Sequence, residues 1–252
     1  MKALIVGYGK MGKAIETALV ARGHAVAGRV GGEEGREICL EGEEGKGRPW
    51  NWTASTCDLA FEFTAPDSAA PVVSFLLSKK IPVLSGTTGW DIASAVRQAR
   101  EQQIPFLHSS NFSIGVAALR RAVAAAAAAL AAFPEFEPGI VERHHSKKKD
   151  SPSGTAKLLA KVLEEASWRG GVPIASLRQG GAPGEHLVFF EGENETLELV
   201  HRARSRAIFA LGAVRAAEWM LESGRTGPLT FDDFFAAVAE TGASHGNGGR
   251  SS

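Results

Sequence analysis

The sequence predicts an α/β protein in two parts, a parallel sheet of alternating strands and helices followed by a second α+β domain that carries a mixed or antiparallel sheet. Three observations point there. A strand, a glycine turn and a helix follow one another from Ala3; short apolar strands then alternate with helical stretches as far as Phe112; and beyond Gly171 the hydrophobic pattern changes from helical spacing to alternation.

Ala3-Leu4-Ile5-Val6 is a continuous apolar run, the pattern of a strand buried on both faces. Gly7-x-Gly9-x-x-Gly12 follows at once and opens a helix with Met11, Ile15 and Leu19 on one face, stopped at Gly23; residues 25–30 form the second strand. This spacing is the dinucleotide fingerprint. The first glycine makes the tight turn, the second lets the backbone approach a pyrophosphate, and the third lets helix pack against strand. The first part is therefore expected to be Rossmann-like. The acid that would hold a ribose 2′-hydroxyl is missing where the second strand ends: Gly31 and Gly32 stand there, with Glu33 and Glu34 slightly late. Arg29 is the candidate partner for a 2′-phosphate, against the competing reading of a strand arginine that simply faces solvent. NADH and NADPH both stay open as cofactors.

Residues 31–52, rich in Gly and Glu, read as a mobile acidic loop. Residues 59–64 are the next strand, and Ala65-Pro66-Asp67-Ser68 opens a helix through Leu77. Residues 81–85 form a strand ending in Gly86-Thr87-Thr88-Gly89; after a further helix, the strand from Ile104 ends in Ser109-Ser110-Asn111-Phe112. Parallel sheets take ligands at the carboxyl ends of their strands, where both of these loops fall. The alanine-rich residues 115–132 have high helix propensity and read as a packed helix, broken by Pro134 and Pro138. Ile140-Val141-Glu142 is a strand, and a helix starting near Ser153 is expected to end at Gly170-Gly171. Residues 186–191 and 195–203 form a hairpin about Gly192-Glu193-Asn194, residues 207–221 a helix that returns to the first domain, and the tail from Thr241 is expected to be loose.

Composition narrows the function. Lys+Arg 28 against Asp+Glu 28 leaves a formal net charge of +0, which argues against a general nucleic-acid partner. No apolar run reaches membrane-spanning length and no signal-like h-region follows Met1, so a soluble, cytoplasmic protein is expected. The cysteines, Cys39 and Cys57, have neither metal-ligand nor redox spacing; no metal site and no nucleophilic thiol is expected.

The stretch Glu142-Arg143-His144-His145-Ser146-Lys147-Lys148-Lys149-Asp150-Ser151-Pro152-Ser153-Gly154-Thr155-Ala156 concentrates groups that move protons just ahead of a helix start. Two imidazoles titrate near neutral pH, and the lysines supply positive charge for an anionic substrate. Leu158, Leu159, Val162 and Leu163 recur at helical spacing, which makes Ser153 the N-cap. The free N–H groups of that first turn, with Gly154 permitting close approach and Thr155 adding a hydroxyl, form a cradle suited to a carboxylate. In regular strand geometry His144 and His145 face opposite ways and have different roles.

Four motifs occur together and in order: Gly7-x-Gly9-x-x-Gly12, Phe63-Thr64-x-Pro66, Gly86-Thr87-Thr88-Gly89, and His144-His145-x-x-Lys148-x-Asp150-x-Pro152-Ser153-Gly154-Thr155-Ala156. In these, and in Asn111-Phe112-Ser113-Ile114-Gly115-Val116 and Ser205-Arg206-x-x-Phe209-Ala210-x-Gly212-Ala213, the chain resembles the 4-hydroxy-tetrahydrodipicolinate (dihydrodipicolinate) reductase family over nearly its whole length. The resemblance implies NAD(P)H-dependent reduction of an unsaturated cyclic dicarboxylate in bacterial lysine and diaminopimelate biosynthesis. It implies a cofactor over Gly7, Gly9, Lys10, Met11 and Gly12, with Gly86, Thr87 and Thr88 and with Ser109, Ser110, Asn111 and Phe112 flanking the nicotinamide. It implies His144 as the acid/base group, Lys148 as proton donor, and His145, Gly154 and Thr155 as substrate-binding residues. On this basis residues 1–112 with 207–252 are expected to bind the dinucleotide, and residues 113–206 to bind the substrate and build a homotetramer. Ser151 departs from the family's usual alanine, and Lys147 and Lys149 have no counterpart role. Two rival readings stay open: another two-domain NAD(P) oxidoreductase acting on an imine or semialdehyde, or a nucleotide-sensing protein without chemistry.

Overall fold

The structure, a computed structural model, describes residues 1–31, 53–166, 168 and 171–246. The acidic loop expected at 31–52, with Glu33, Glu34 and Cys39, lies beyond Gly31 outside the described residues, as do Gly170 and residues 247–252. The chain forms two compact units, Met1–Phe112 with Phe209–Ser252, and Ser113–Ile208.

The first unit begins β1 (Lys2–Val6), α1 (Lys10–Ala21), β2 (Ala25–Val30), β3 (Leu59–Glu62), α2 (Pro66–Ser78), β4 (Val83–Ser85), α3 (Ala93–Gln102) and β5 (Phe106–His108). The second unit holds α4 (Ile114–Leu130), β6 (Glu137–His144), α5 (Gly154–Glu165), β7 (Ile174–Arg178), β8 (Glu185–Glu191) and β9 (Thr196–Arg202). The chain then adds α6 (Ala207–Glu222), β10 (Pro228–Thr230) and α7 (Phe231–Gly246).

In the first unit six parallel strands run in the order β10-β5-β4-β3-β1-β2. The sheet grows outward in both directions from β1 and β3, so the turn after β1 stands at the topological switch point, where such sheets bind ligands. β3 and β4 are buried at every position, and β1 at all but its first, as strands covered on both faces must be. Leu4, Val6, Ala60, Val73, Leu76, Leu77 and Val83 fill the core beside them. Truncating one of these leucines to alanine costs about 2–5 kcal/mol. Arg22 and His24 both reach Glu218 on α6 at 2.7 Å and fasten the late helix to the early strands.

The second unit is a four-stranded mixed sheet, β7-β6-β8-β9, with β7 parallel to β6 and the other pairs antiparallel. Its inner face packs on α4 and α5 through Leu119, Val123, Ala127, Ile140, Leu159, Leu163, Val188 and Phe190. The outer face leaves Val141, Leu177 and Val200 exposed at 39%, 47% and 38%.

Four elements depart from the sequence-based expectation. β7 is not foreseen by the pattern, because Ile174–Arg178 is a half-exposed edge strand with no clean alternation. β10 has only three residues and is recognisable by its pairing with β5 alone. The tail is not loose from Thr241: α7 runs to Gly246, led by Asp232 and Asp233 in its first turn, where acids favour the helix dipole. The helix from Gly154 also stops earlier than expected, at Glu165 with Ala166 as C-cap.

Candidate active site

In the first unit the glycine turn is built as its spacing requires. Gly7 has φ +93°, and a Cβ there would stand 2.0 Å from the Phe63 carbonyl oxygen. A Cβ on Gly12 would meet the Gly7 carbonyl oxygen at 2.4 Å, so the helix can lie this close to the turn only without a side chain. Around Gly9 nothing comes within 4 Å of a Cβ position, and the N-cap there offers no side-chain hydrogen bond to α1. Free N–H groups and open space at one helix start fit a pyrophosphate. Lys10 is exposed and Met11 half-buried beside this opening.

Arg29 closes the end of β2. Its guanidinium binds Glu16, with Nε donating to Oε2 at 2.9 Å, and lies 5.7 Å from the centroid of the Tyr8 ring. The hydrogen bonds from Arg29 and from Tyr8 hold the Glu16 carboxyl down at about 2. The arginine is thus solvent-exposed, as the competing reading has it, but its charge is paired with Glu16.

The two loops at the carboxyl ends of β3 and β4 are joined by a residue that the sequence pattern does not single out. Glu62 is fully buried. Its Oε1 accepts from the Thr64 N–H at 2.9 Å and from the hydroxyls of Thr64 and Thr87 at 2.6 Å, and its Oε2 from Ser85 Oγ at 2.6 Å. Thr87 is thereby turned inward, while Thr88 is exposed and Gly86 borders the Phe63 ring. After β5, Ser109 Oγ donates to the Asn111 carbonyl at 2.8 Å and Ser110 is exposed. Phe112 is 3% exposed and packs on Phe63 and Phe231 at centroid distances of 5.8 and 5.4 Å. It belongs to the wall of the first unit, not to an open surface. Cys57 is buried, and burial pushes its thiol up to about 11, away from nucleophilic use.

In the second unit the histidine-lysine stretch forms the end of β6 and the loop into α5. His144 is the last residue of the strand and 7% exposed, whereas His145 stands outside it, half-buried, with its Nε2 accepting from Arg206 Nη2 at 3.2 Å. The pair have different surroundings, but not by strand alternation, because β6 ends at His144 and His145 lies beyond it. Lys148 Nζ lies 2.7 Å from Asp150 Oδ1, and Lys148 lowers the Asp150 carboxyl by that contact. Lys147 and Lys149 are not drawn into the buried cluster described next: no ion pair of theirs stands beside Glu142 among the described residues. Ser153 caps α5, accepting the Ala156 N–H at 3.2 Å; Gly154 has nothing within 4 Å of a Cβ position, and Thr155 is half-buried beside it.

Beneath these residues lies a polar row that chain order alone does not reveal. Ser176 of β7, Glu142 of β6, His186 of β8 and His201 of β9 are register partners across all four strands. Glu142 is fully buried, and its Oε1 accepts from Arg178 Nη2 at 2.6 Å, Ser176 Oγ at 2.7 Å and the Ser153 N–H at 3.1 Å. Burial raises its carboxyl, but the bonds from Ser153, Arg178 and Ser176 outweigh it and bring the group to about 2. His144 Nδ1 stands 2.9 Å from the other oxygen, Oε2. Burial pushes His144 below its ordinary value, with Glu142 pulling upward, and burial first of all pushes His186 to about 4. Arg178 Nη2 also donates to the Asp150 carbonyl at 2.7 Å, tethering the lysine loop. One signal in the sequence points here: Glu142 shares the inward parity of Ile140 and His144, an acid where a strand should be apolar.

The fold and these two sets of residues define a two-unit, nicotinamide-nucleotide-dependent oxidoreductase of Rossmann type. Residues 1–112 match the family model described as dihydrodipicolinate reductase, N-terminus, and residues 115–235 the model for its C-terminus. The chain belongs to the dihydrodipicolinate reductase family. A 4-hydroxy-tetrahydrodipicolinate reductase of Xanthomonas campestris pv. campestris is 40% identical over 227 residues, covering 88% of this chain and 92% of the relative. One from Christiangramia forsetii is 32% identical over 246 residues, covering 92% and 97%. Among solved structures, a dipicolinate-bound dihydrodipicolinate reductase from Paenisporosarcina sp. TG-14 superposes with TM-score 0.71 at 22% identity, over 91% of this chain and 97% of that one, a likeness of fold.

Proposed function

We propose that this chain reduces 4-hydroxy-tetrahydrodipicolinate to tetrahydrodipicolinate with NADH or NADPH, a step of bacterial lysine and diaminopimelate biosynthesis. The observation that carries the reading is the second unit's grouping of a buried imidazole, His144, with Lys148, His145 and the open first turn of α5 on one continuous stretch. That grouping has the charge and donors a cyclic dicarboxylate needs.

In this reading the first unit holds the dinucleotide. The α1 start at Gly9, Lys10, Met11 and Gly12 takes the pyrophosphate, and the loops at Gly86–Thr88 and Ser109–Phe112 flank the nicotinamide. When bound, the reduced nicotinamide supplies a hydride, and the balanced reaction consumes one proton and releases one water. Lys148, His145 and the N–H groups at Gly154 and Thr155 hold the two carboxylates. His144 and Lys148 hold and move the proton, a contribution of about 10²–10⁴-fold in rate. Negative charge that develops on the ring is met by the Lys148 ammonium, with Arg206 as a second cation through His145.

Assembly through the outer face of the second unit's sheet belongs to the same proposal. Val141, Leu177 and Val200 form an exposed apolar surface on paired strands, and a homotetramer buries it. Light scattering is expected to give four chains, and Val200→Glu to reduce that number. The enzyme is assigned to the cytoplasm, where the nicotinamide nucleotides are; among the described residues no helix is long and apolar enough to cross a membrane.

The test of function generates the substrate in place, from pyruvate and aspartate semialdehyde with the synthase that condenses them. Loss of nicotinamide absorbance that depends on that product, with either cofactor, is the expected result. Binding of a cofactor without oxidation would instead indicate a different substrate or a sensor.

A further inference from the structure

The imidazole assigned above to proton transfer does not stand alone. His144 Nδ1 lies 2.9 Å from Glu142 Oε2, and these two buried atoms are left without a hydrogen-bond partner among the described residues, so each is open to a proton shared between them. The opposite oxygen of the same carboxylate is fixed by Arg178 and Ser176, the two polar residues at the end of β7, and by the N–H of Ser153, the cap of α5. The carboxylate therefore cannot turn away, and it presents a single acceptor to the histidine.

We propose that Glu142 is a positioning residue for His144: its carboxylate accepts a hydrogen bond from Nδ1–H, sets the tautomer in which Nε2 is the working nitrogen, and stabilises the imidazolium when Nε2 is protonated. The inference rests on the reading of His144 as the acid/base group. Nε2 lies on the side of Gly184, whose missing side chain leaves it uncovered there: a Cβ would come within 3.1 Å of it. The groups that face His144 are Glu142 on its own strand, Arg178 on β7, His186 on β8, and Lys148 and Asp150 in the loop. His201 on β9 lies beyond His186, with ring centroids 6.4 Å apart. Glu142 is the only one of these at hydrogen-bonding distance from Nδ1.

Glu142, His144 and His186 also place three ligand atoms within 4.8 Å of one another, the geometry of a candidate metal cluster. A proton is the better occupant. Arg178 already brings a positive charge to Glu142 at 2.6 Å, so a divalent cation would meet that guanidinium. The 2.9 Å contact is the length of a charge-assisted N–H···O bond.

The discriminating variant is Glu142→Gln. Three donors converge on Oε1, so the amide oxygen is held there and the amide NH₂ is turned toward Nδ1. Nδ1 must then accept, and the proton moves to Nε2. Imidazole ¹⁵N NMR of the full-length protein, without substrate, is expected to show the Nδ1–H tautomer at His144 in the wild type and Nε2–H in Glu142→Gln. The His144 titration should move down by about 1–3 pH units. In turnover, kcat should fall by about 10²–10⁴-fold with little change in cofactor affinity, and Glu142→Asp should recover part of the loss. A wild-type His144 found as Nε2–H overturns the proposal without needing any variant. So does a Glu142→Gln protein that keeps its titration and turns over within about threefold of wild type, or one equivalent of tightly bound divalent metal in the purified protein. If the wild type shows the Nδ1–H tautomer but does not reduce the substrate, the assigned reaction has failed and the positioning geometry has not.

Discussion

Glu62 offers the most direct test of how the first unit holds its ligand loops. Its carboxylate is fully buried and accepts four hydrogen bonds, three at Oε1 and one at Oε2. In Glu62→Ala the Thr64 N–H keeps an acceptor, because Thr87 Oγ1 lies 2.8 Å away. The buried hydroxyls of Thr87 and Ser85 lose theirs in a dry site, while that of Thr64 keeps the Ala65 carbonyl at 3.4 Å. Each orphaned buried donor costs about 1–3 kcal/mol, offset in part by relief of the carboxylate's own desolvation, so a net loss of about 3 kcal/mol is expected. In Glu62→Gln the amide oxygen can keep the three Oε1 donors, while Ser85 Oγ rotates to accept from the new NH₂; about 1 kcal/mol or less should be lost. Urea unfolding with constant m measures both. Dinucleotide affinity should follow the same order, since Thr87 lies in the Gly86–Thr88 loop proposed to flank the nicotinamide. A glutamine as damaging as alanine would show that charge, not acceptor geometry, organises the loops. An alanine variant as stable as wild type would remove Glu62 from the account altogether.

Lys148→Ala should lower kcat by about 10²–10⁴-fold while leaving the dissociation constant for NADPH within about twofold, read by steady-state kinetics and fluorescence titration. Glu16→Gln withdraws the charge that pairs with Arg29 at the end of β2, and should raise the kcat/KM ratio of NADPH over NADH several-fold; an unchanged ratio would detach Arg29 from the 2′-phosphate. Acid should weaken the fold in two stages. His186 is depressed from 6.5 to about 4, so its contribution is complete above 6.5 and is lost as pH falls from there toward 4. Glu142 is depressed from 4.5 to about 2, so its contribution persists to about 4.5 and is lost below. Thermal melts across pH should therefore slope downward from pH 6.5, and His186→Gln should flatten the upper stage; a variant with the wild-type slope would place the sensitivity elsewhere.

The sequence is most legible where chemistry and chain order coincide. Gly7, Gly9 and Gly12 carry their geometry in their spacing, and Ser153 caps α5 because a hydroxyl before a helical run has one favourable use there. What stays hidden is what depends on pairing between distant strands. Ser176 and Arg178 sit on an edge strand that periodicity does not reveal, and they matter only because β7 lies parallel to β6 with Ser176 opposite Glu142. His186 and His201 enter through the same register. Glu62 reads as one residue of an apolar strand, and its donors come from residues up to 25 positions away. The two units nonetheless use one device. Each places a fully buried glutamate near the carboxyl end of a central strand and surrounds it with donors from a neighbouring strand and from the segment that follows its own strand. A carboxylate costs several kcal/mol to bury, so it persists there only where its bonds fix something that apolar packing cannot. For Glu62 that is the pair of loops after β3 and β4; for Glu142 it is the ring of His144 and the start of α5. An acid at an inward position of a strand is thus itself a mark of a site, and the amino-acid sequence displays it once the strand's parity is counted.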